Sequence, residues 1–178
     1  MRLKKRLMMF LDLLGICALV GLDQYTKYLA VIHLKDKPAY IIISGVLELN
    51  YLENKGAAFG MLQNQKAFFI FVAVVILSVI GYVLFKMPNH RKYRILHLLL
   101  SLIAAGAIGN MIDRIRLNYV VDFIYFVLIN FPIFNVADIY VTISTAVLVI
   151  LLLFVYTEND LSFISFKSKR YREVQYKK

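Results

Sequence analysis

Three stretches of this 178-residue chain run for 18 residues or more without a charge. Ala67 to Phe85 is 19 residues, and Ile139 to Tyr156 is 18. Ile95 to Ile112 is also 18, with His97 and Asn110 as its strongly polar side chains. A helix crossing the hydrocarbon core of a bilayer needs about 20 largely apolar residues, so each stretch is long enough to span. Composition agrees: 61% of the residues are hydrophobic, 18% are charged, and the mean hydropathy is +0.69. A soluble domain is about half apolar and about one quarter charged. A disordered chain and a secreted disulfide scaffold are thereby excluded. The single cysteine, Cys17, excludes an intramolecular disulfide, a CxxC redox site and a Cys-rich zinc site. Within its apolar run it is expected to be a small buried hydrophobe.

A fourth apolar stretch, Leu7 to Leu34, is interrupted by Asp12, Asp23, Gln24 and Lys27. It reads as one long helix whose polar second half reaches out of the bilayer. Its basic start and Cys17 have the outline of a cleavable lipoprotein leader, but bulky Ile16 stands where such a cleavage site needs a small residue. The helix is therefore expected to be retained. Tyr119 to Phe134 is nearly as apolar, yet it is short and contains Asp122, Asn130 and Pro132. Charge parity argues against it as a fifth span. Of 21 basic residues, 14 fall in three flanks: four at the N-terminus, four from Lys86 to Arg94 and six from Lys167 to Lys178. Four spans put all three flanks in the cytoplasm, where Lys and Arg collect. This distribution fits membrane lipids and argues against nucleic acid.

The expected fold class is thus an all-α membrane protein. It has four transmembrane helices near 7–34, 67–85, 95–112 and 139–156, and a basic cytoplasmic tail from 157 to 178. Residues 1–178 form one integral membrane domain with both termini cytoplasmic. Ile41 to Ile43, the Ser44-Gly45 turn signal and the alternation of Leu47, Leu49 and Tyr51 with Glu48 and Asn50 predict a small sheet with one apolar face. Tyr119 to Phe134 is expected to be a re-entrant or interfacial segment on the same, outer side, its backbone satisfied by protein or water.

Polar residues near the membrane are placed unevenly. Asp23, Lys27, Asn54, Asn110, Asp113, Arg114, Asp122, Asn135 and Asp138 all map to outer helix ends or outer loops, where they can meet as one cluster. Each also has a plainer reading. Asp23 and Lys27 have the spacing of a helix-surface ion pair. Asp113 and Arg114 read alone as solvated interface charges. Asn135, three residues before Asp138, reads as a helix cap with its acid in the first turn. Asp122, flanked by Tyr119, Val120, Val121, Phe123, Ile124 and Tyr125, is harder to dismiss, because a carboxylate in apolar surroundings needs a partner or a task.

Two carboxylates at an apolar boundary can share one proton, so that one acts as base and the other as acid. Such a pair can activate a water and protonate the leaving amine of a peptide. Asp122 and Asp138 are the best candidates. His33, His90 and His97 are too dispersed for a metal cluster. The chain also has no HExxH, no Gly-rich phosphate loop and no GxSxG elbow. No cofactor or metal is implied.

Five short strings, taken in order, resemble the bacterial lipoprotein signal peptidases (type II signal peptidases). Asp23-Gln24-Tyr25-Thr26-Lys27 resembles DQxTK, and the string from Asn54 through Gly56 to Gly60 resembles NxGAAFG. Gly109 to Arg114 resembles GNxIDR, Val120 to Phe123 resembles VVDF, and Phe134 to Asp138 resembles FNxAD. The resemblance implies an aspartic endopeptidase of the bacterial cytoplasmic (inner) membrane. It would cut prolipoproteins just before the diacylglyceryl-modified lipobox cysteine, at the outer leaflet. It also implies that Asp122 and Asp138 are the catalytic pair. Asn54, Asn110, Arg114 and Asn135 would orient substrate or dyad, while Asp23, Lys27, Asp113 and Gly56 would give structural support. Globomycin-type inhibitors would occupy the same cleft.

Two departures stand out. Asn118 replaces a frequent Gly before VVDF, and Ile139 replaces a frequent Ser after FNxAD. Asn tolerates a left-handed backbone, so the turn is expected to survive, whereas the lost hydroxyl bears on the hydrogen bonding around Asp138. The rival readings are a small ion or proton transporter, which predicts acids at mid-depth, and a non-catalytic signal-peptide-binding factor.

Overall fold

The structure is a computed structural model and describes residues 2–56 and 62–164. Ala57 to Gly60 of the NxGAAFG-like string and residues 165–178 of the basic tail lie outside the described residues. Four long helices are present among them: α1 Arg2–Leu34, α2 Lys66–Lys86, α3 Arg94–Leu117 and α4 Val136–Phe154. All four are long and apolar enough to cross a membrane, as their sequence runs predict. Their outer surfaces stay apolar, with Phe71 65% and Leu153 69% exposed. That is the reverse of a water-facing bundle, and it is what a hydrocarbon solvent requires. Cys17 lies on this exposed surface rather than in the core. In lipid an outward-facing thiol in an apolar run costs nothing that burial would recover.

The helix ends differ from the apolar runs for local reasons. At 33 residues α1 is about 50 Å long, well beyond a hydrocarbon core of about 30 Å. The charged string from Asp113 to Arg116 continues α3, because charge ends an apolar run without ending a helix. α4 begins three residues earlier than its apolar run, at a capping box. Asn135 Oδ1 accepts from the Asp138 N–H, and the Asp138 carboxylate accepts from the Asn135 N–H.

Contacts fix the helix directions. α1 and α3 run parallel, because Asp12 meets His97 near one end at 2.7 Å and Lys27 meets Asp113 near the other at 3.0 Å. α4 runs antiparallel to α3, and their backbones approach closely at Gly106. A Cβ there would lie 2.5 Å from the Ala137 carbonyl oxygen, so only glycine fits.

At one end of the bundle lies a three-stranded antiparallel sheet in the order β1 Tyr40–Ile43, β2 Leu47–Asn54, β3 Val120–Phe126. The first two strands, joined by a turn at Gly45 (φ 69°), fall where the small sheet and its turn signal were expected. The predicted contrast between two faces of β2 does not appear, since Leu47 to Tyr51 are all half-buried. The Tyr119–Phe134 segment resolves into β3, a single 3-10 turn at Val127–Ile129 and a return strand bridge. Pairing with β2 and the bridge between Ile124 and Phe134 satisfy its backbone. Ala30, Leu34, Val121 and Phe123 form the core that seats the sheet on α1. A second core, built on Ile80, Met87, Leu96, Leu100, Ala104 and Tyr156, holds the opposite end. There Tyr93 stacks on Tyr156, and Lys92 pairs with Asp160 at 2.6 Å.

Candidate active site

Asp122 is delivered by β3 just beyond a register irregularity in the β2–β3 ladder between Leu49 and Leu52. Bulges of this kind re-aim side chains. Leu52 pairs with Asp122 and Asn54 with Val120, so Asn54 is the diagonal neighbour of Asp122 on one face. Its Nδ2 donates to Asp122 Oδ2 at 2.8 Å. After β3 the chain folds back. The Phe134 carbonyl accepts from the Phe123 and Ile124 N–H groups, and this return sets Asn135 beside Asp122.

Asn135 is fully buried and does two jobs. Its oxygen caps α4, which fixes the amide's orientation and turns Nδ2 toward Asp122 Oδ1 at 2.6 Å and Asn110 Oδ1 at 3.1 Å. Asn110, about two turns from the end of α3, donates its own Nδ2 to Asp138 Oδ1 at 2.8 Å. Asp138 Oδ2 accepts the Asn135 backbone N–H at 3.1 Å. All four oxygens of the two aspartates therefore accept a hydrogen bond, each from a neutral amide. In each side-chain amide a separate donor holds the oxygen: Gly56 N–H for Asn54, Lys27 for Asn110 and Asp138 N–H for Asn135. The N–H groups are left to face the carboxylates. Asp138 has its partners without a hydroxyl at position 139, so the Ile139 departure leaves neither of its oxygens unpaired.

Behind the pair lies a fully enclosed charge cluster. Lys27 Nζ, with its residue 3% exposed, reaches Asp23 Oδ2 and Asp113 Oδ2 at 3.0 Å each and Asn110 Oδ1 at 2.8 Å. Its three donors are all used. Asp23 Oδ1 accepts the Ala137 N–H at the start of α4, and Asp113 Oδ2 accepts the Val121 N–H of β3. The plain readings of Asp23–Lys27 as an ion pair and Asn135 as a cap are therefore present together with membership of the cluster. Asp113, by contrast, is 3% exposed rather than a solvated interface charge. Gln24, which sequence reasoning passed over, donates to Asp113 Oδ1 at 2.9 Å and to the Gly109 carbonyl at 3.2 Å. Its place next to Asp23 in the first motif was the available signal. Gly109 is required here, because a Cβ would collide with the Asp23 carboxylate.

Arg114 donates to the Gly56 and Asn110 carbonyls at 3.2 and 3.3 Å. Four aspartates thus share the site with two cations. Burial pushes the Asp122 carboxyl up to about 7, and the nearby Asp138 adds to the rise. The pair accordingly keeps a proton to higher pH than two free carboxyls would.

Asp122, Asp138, Asn54, Asn110 and Arg114 open on a cleft of about 550 Å³, within the size range of small-ligand sites. Its remaining wall is mostly apolar, from Phe69 on α2, Val120 and Phe126 on β3, Phe131 to Phe134 beyond it, and Ile139, Thr142 and Ile143 on α4. Phe69, Thr142 and Ile143 were not among the residues expected from sequence, since lining an apolar wall leaves no mark in an apolar run. Among the described residues, no three His, Cys, Asp or Glu side chains converge as metal ligands would.

The fold and site define a multi-pass membrane protein with two amide-bridged aspartates at one end of a four-helix bundle. The chain belongs to the signal peptidase (SPase) II family, whose model matches residues 15–154. It is 47% identical over 136 residues to a lipoprotein signal peptidase of Caldanaerobacter subterraneus subsp. tengcongensis, covering 76% of this chain and 90% of that one. It is 44% identical over 138 residues to the corresponding protein of Streptococcus thermophilus, covering 78% and 89%. A solved bacterial membrane enzyme superposes with a TM-score of 0.73 at 33% identity, covering 88% of this chain and 93% of that one. Family membership favours a protease over the transporter and the passive binding factor.

Proposed function

We propose that the protein is an aspartic endopeptidase that removes signal peptides from prolipoproteins, cutting just before a diacylglyceryl-modified cysteine. The observation that carries the reading is the pair Asp122 and Asp138, with all four oxygens held by amide donors and open on an apolar cleft. One carboxylate takes a proton from a water in the cleft, and the resulting hydroxide attacks the scissile carbonyl. The other, protonated, donates to the carbonyl oxygen. Collapse of the tetrahedral intermediate passes a proton to the leaving amine. Asn54, Asn110 and Asn135 orient the pair, and Arg114 offers donors to the substrate backbone. Asp23, Lys27, Asp113 and Gly56 hold these groups in place.

The apolar wall suits acyl chains that stay in the membrane during cleavage. The basic flanks at the N-terminus and from Lys86 to Arg94 lie at the end of the bundle away from the sheet. The positive-inside bias would then put both termini in the cytoplasm and the cleft at the outer leaflet of the bacterial inner membrane. Membrane lipids would surround the helices, and globomycin-type inhibitors would compete for the cleft.

The test uses purified protein with one precursor in two forms, with and without diacylglycerol on its cysteine. Mass spectrometry should find the cut before the modified cysteine and little cleavage of the unmodified form. Equal cleavage of both forms would contradict the proposed substrate.

A further inference from the structure

We propose that Phe69, with Lys66 beside it on the first turn of α2, is a positioning residue that fixes Arg114 over the cleft. The inference rests on the peptidase reading above. The Arg114 guanidinium carbon sits 4.5 Å from the centroid of the Phe69 ring, well inside the range of a cation–π contact. Two of the five guanidinium donors are used, on the Gly56 and Asn110 carbonyls. The ring covers one face of the fork, so the remaining donors act in its plane, at the cleft that both residues line. An unstacked Arg side chain would spread over many rotamers. Phe69 is half-buried while its neighbour Phe68 is 48% exposed, so α2 turns this ring inward rather than to lipid.

Lys66 acts on the same turn of α3 from the same turn of α2. Its Nζ donates to the Ile115 carbonyl at 3.2 Å and to Asn118 Oδ1 at 2.8 Å. Carbonyls at a helix C-terminus lack intrahelical partners and favour a cation. Asn118 ends α3 in the left-handed region at φ 70°. Glycine would hold that backbone equally well, but it would offer Lys66 no side-chain acceptor. The departure at position 118 therefore supplies half of a latch between α2 and the turn that leads to β3 and Asp122.

The test is cleavage of a lipidated precursor by the full-length protein. Phe69→Leu should raise KM roughly tenfold, the scale of a desolvated cation–π contact, and leave kcat within about twofold. Phe69→Tyr should restore KM. In an Arg114→Gln background, Phe69→Leu should add no further loss. That cycle is also read as precursor affinity on Asp122→Asn protein, where turnover does not interfere. Lys66→Met and Asn118→Gly should each give a smaller KM increase, and together no more than either alone. The inference is overturned if Phe69→Leu leaves KM unchanged, if it costs as much with Arg114→Gln as without it, or if Phe69→Tyr does not rescue. A wild-type protein that leaves the precursor uncut would instead overturn the peptidase reading.

Discussion

Replacing Lys27 by Met separates the two tasks assigned to the buried cluster. The ammonium lies 3.0 Å from each of Asp23 and Asp113, with almost no solvent exposure. Removing it leaves two enclosed carboxylates with amide partners but no counter-ion. Breaking a buried ion pair from one side costs about 3–5 kcal/mol. At about 2–4 °C per kcal/mol for a chain of this length, the melting temperature should fall by roughly 6–20 °C. The second effect is local. Without Lys27, Asn110 Oδ1 keeps only the Asn135 Nδ2 donor at 3.1 Å, so its own Nδ2 is held on Asp138 less firmly. A hydrogen bond to a charged group contributes about 1.5–3 kcal/mol, which corresponds to roughly a 10- to 100-fold loss of kcat. The assay pairs thermal unfolding in detergent with precursor cleavage below the new melting point. Adding Asp23→Asn should recover part of the stability, because the amide oxygen still accepts the Ala137 N–H, but none of the rate. A Lys27→Met protein with wild-type melting and wild-type kcat would refute the proposed role of the cluster.

Three further outcomes follow from the geometry. Asn135→Ser keeps a side-chain oxygen for the Asp138 N–H but loses the donor to Asp122. Its stability should therefore stay near wild type while cleavage drops at least tenfold, whereas Asn135→Ala should also lose about 0.5–2 kcal/mol of unfolding free energy. Gly109→Ala drives a methyl into the Asp23 carboxylate, and should lower the yield of folded protein and its melting temperature, on the scale of about 1–3 kcal/mol for overpacking. The raised Asp122 carboxyl predicts a bell-shaped profile: kcat/KM falls about tenfold per pH unit above about pH 7, as the pair loses its shared proton, and falls again at acid pH, where the carboxylate that acts as base is protonated. The linked stability has the same sign: the folded chain holds a proton that the unfolded Asp releases near pH 4, so unfolding free energy falls as pH rises from about 4 to about 7. A pH profile of both quantities checks this.

Three of the four helices were legible because a bilayer demands long uncharged runs, and the first because its apolar pattern continues past Asp12, Asp23 and Lys27. Their ends were less so. Residues 113–117 of α3 are charged or follow charge, yet they remain helical, and Asp113 and Arg114 find their partners at the sheet end. The residues of the site were legible as a group, since acids and amides are conspicuous against an apolar background. How they connect was not. The Tyr119–Phe134 segment reads as interfacial, but the pairing of β3 with β2 depends on contacts about 70 residues apart, and its return through Phe134 on a bridge to Ile124. That Asn135 serves as both cap and donor, and that Lys27 holds the amide facing Asp138, also requires three-dimensional proximity. Asp12 and His97 illustrate the limit. They are 85 residues apart, and their 2.7 Å contact within the bundle leaves no pattern in the sequence.

Asp122 and Asp138 are proposed to carry out the hydrolysis together. This joint role is tested by single-turnover cleavage of a diacylglyceryl-modified precursor by Asp122→Asn and Asp138→Asn proteins, each confirmed to be folded by its melting temperature. Each substitution alone should lower the rate by at least about 1,000-fold, and the double variant should be little worse than either, because groups acting as one unit are not additive. Either variant cleaving at the wild-type rate would contradict the joint role.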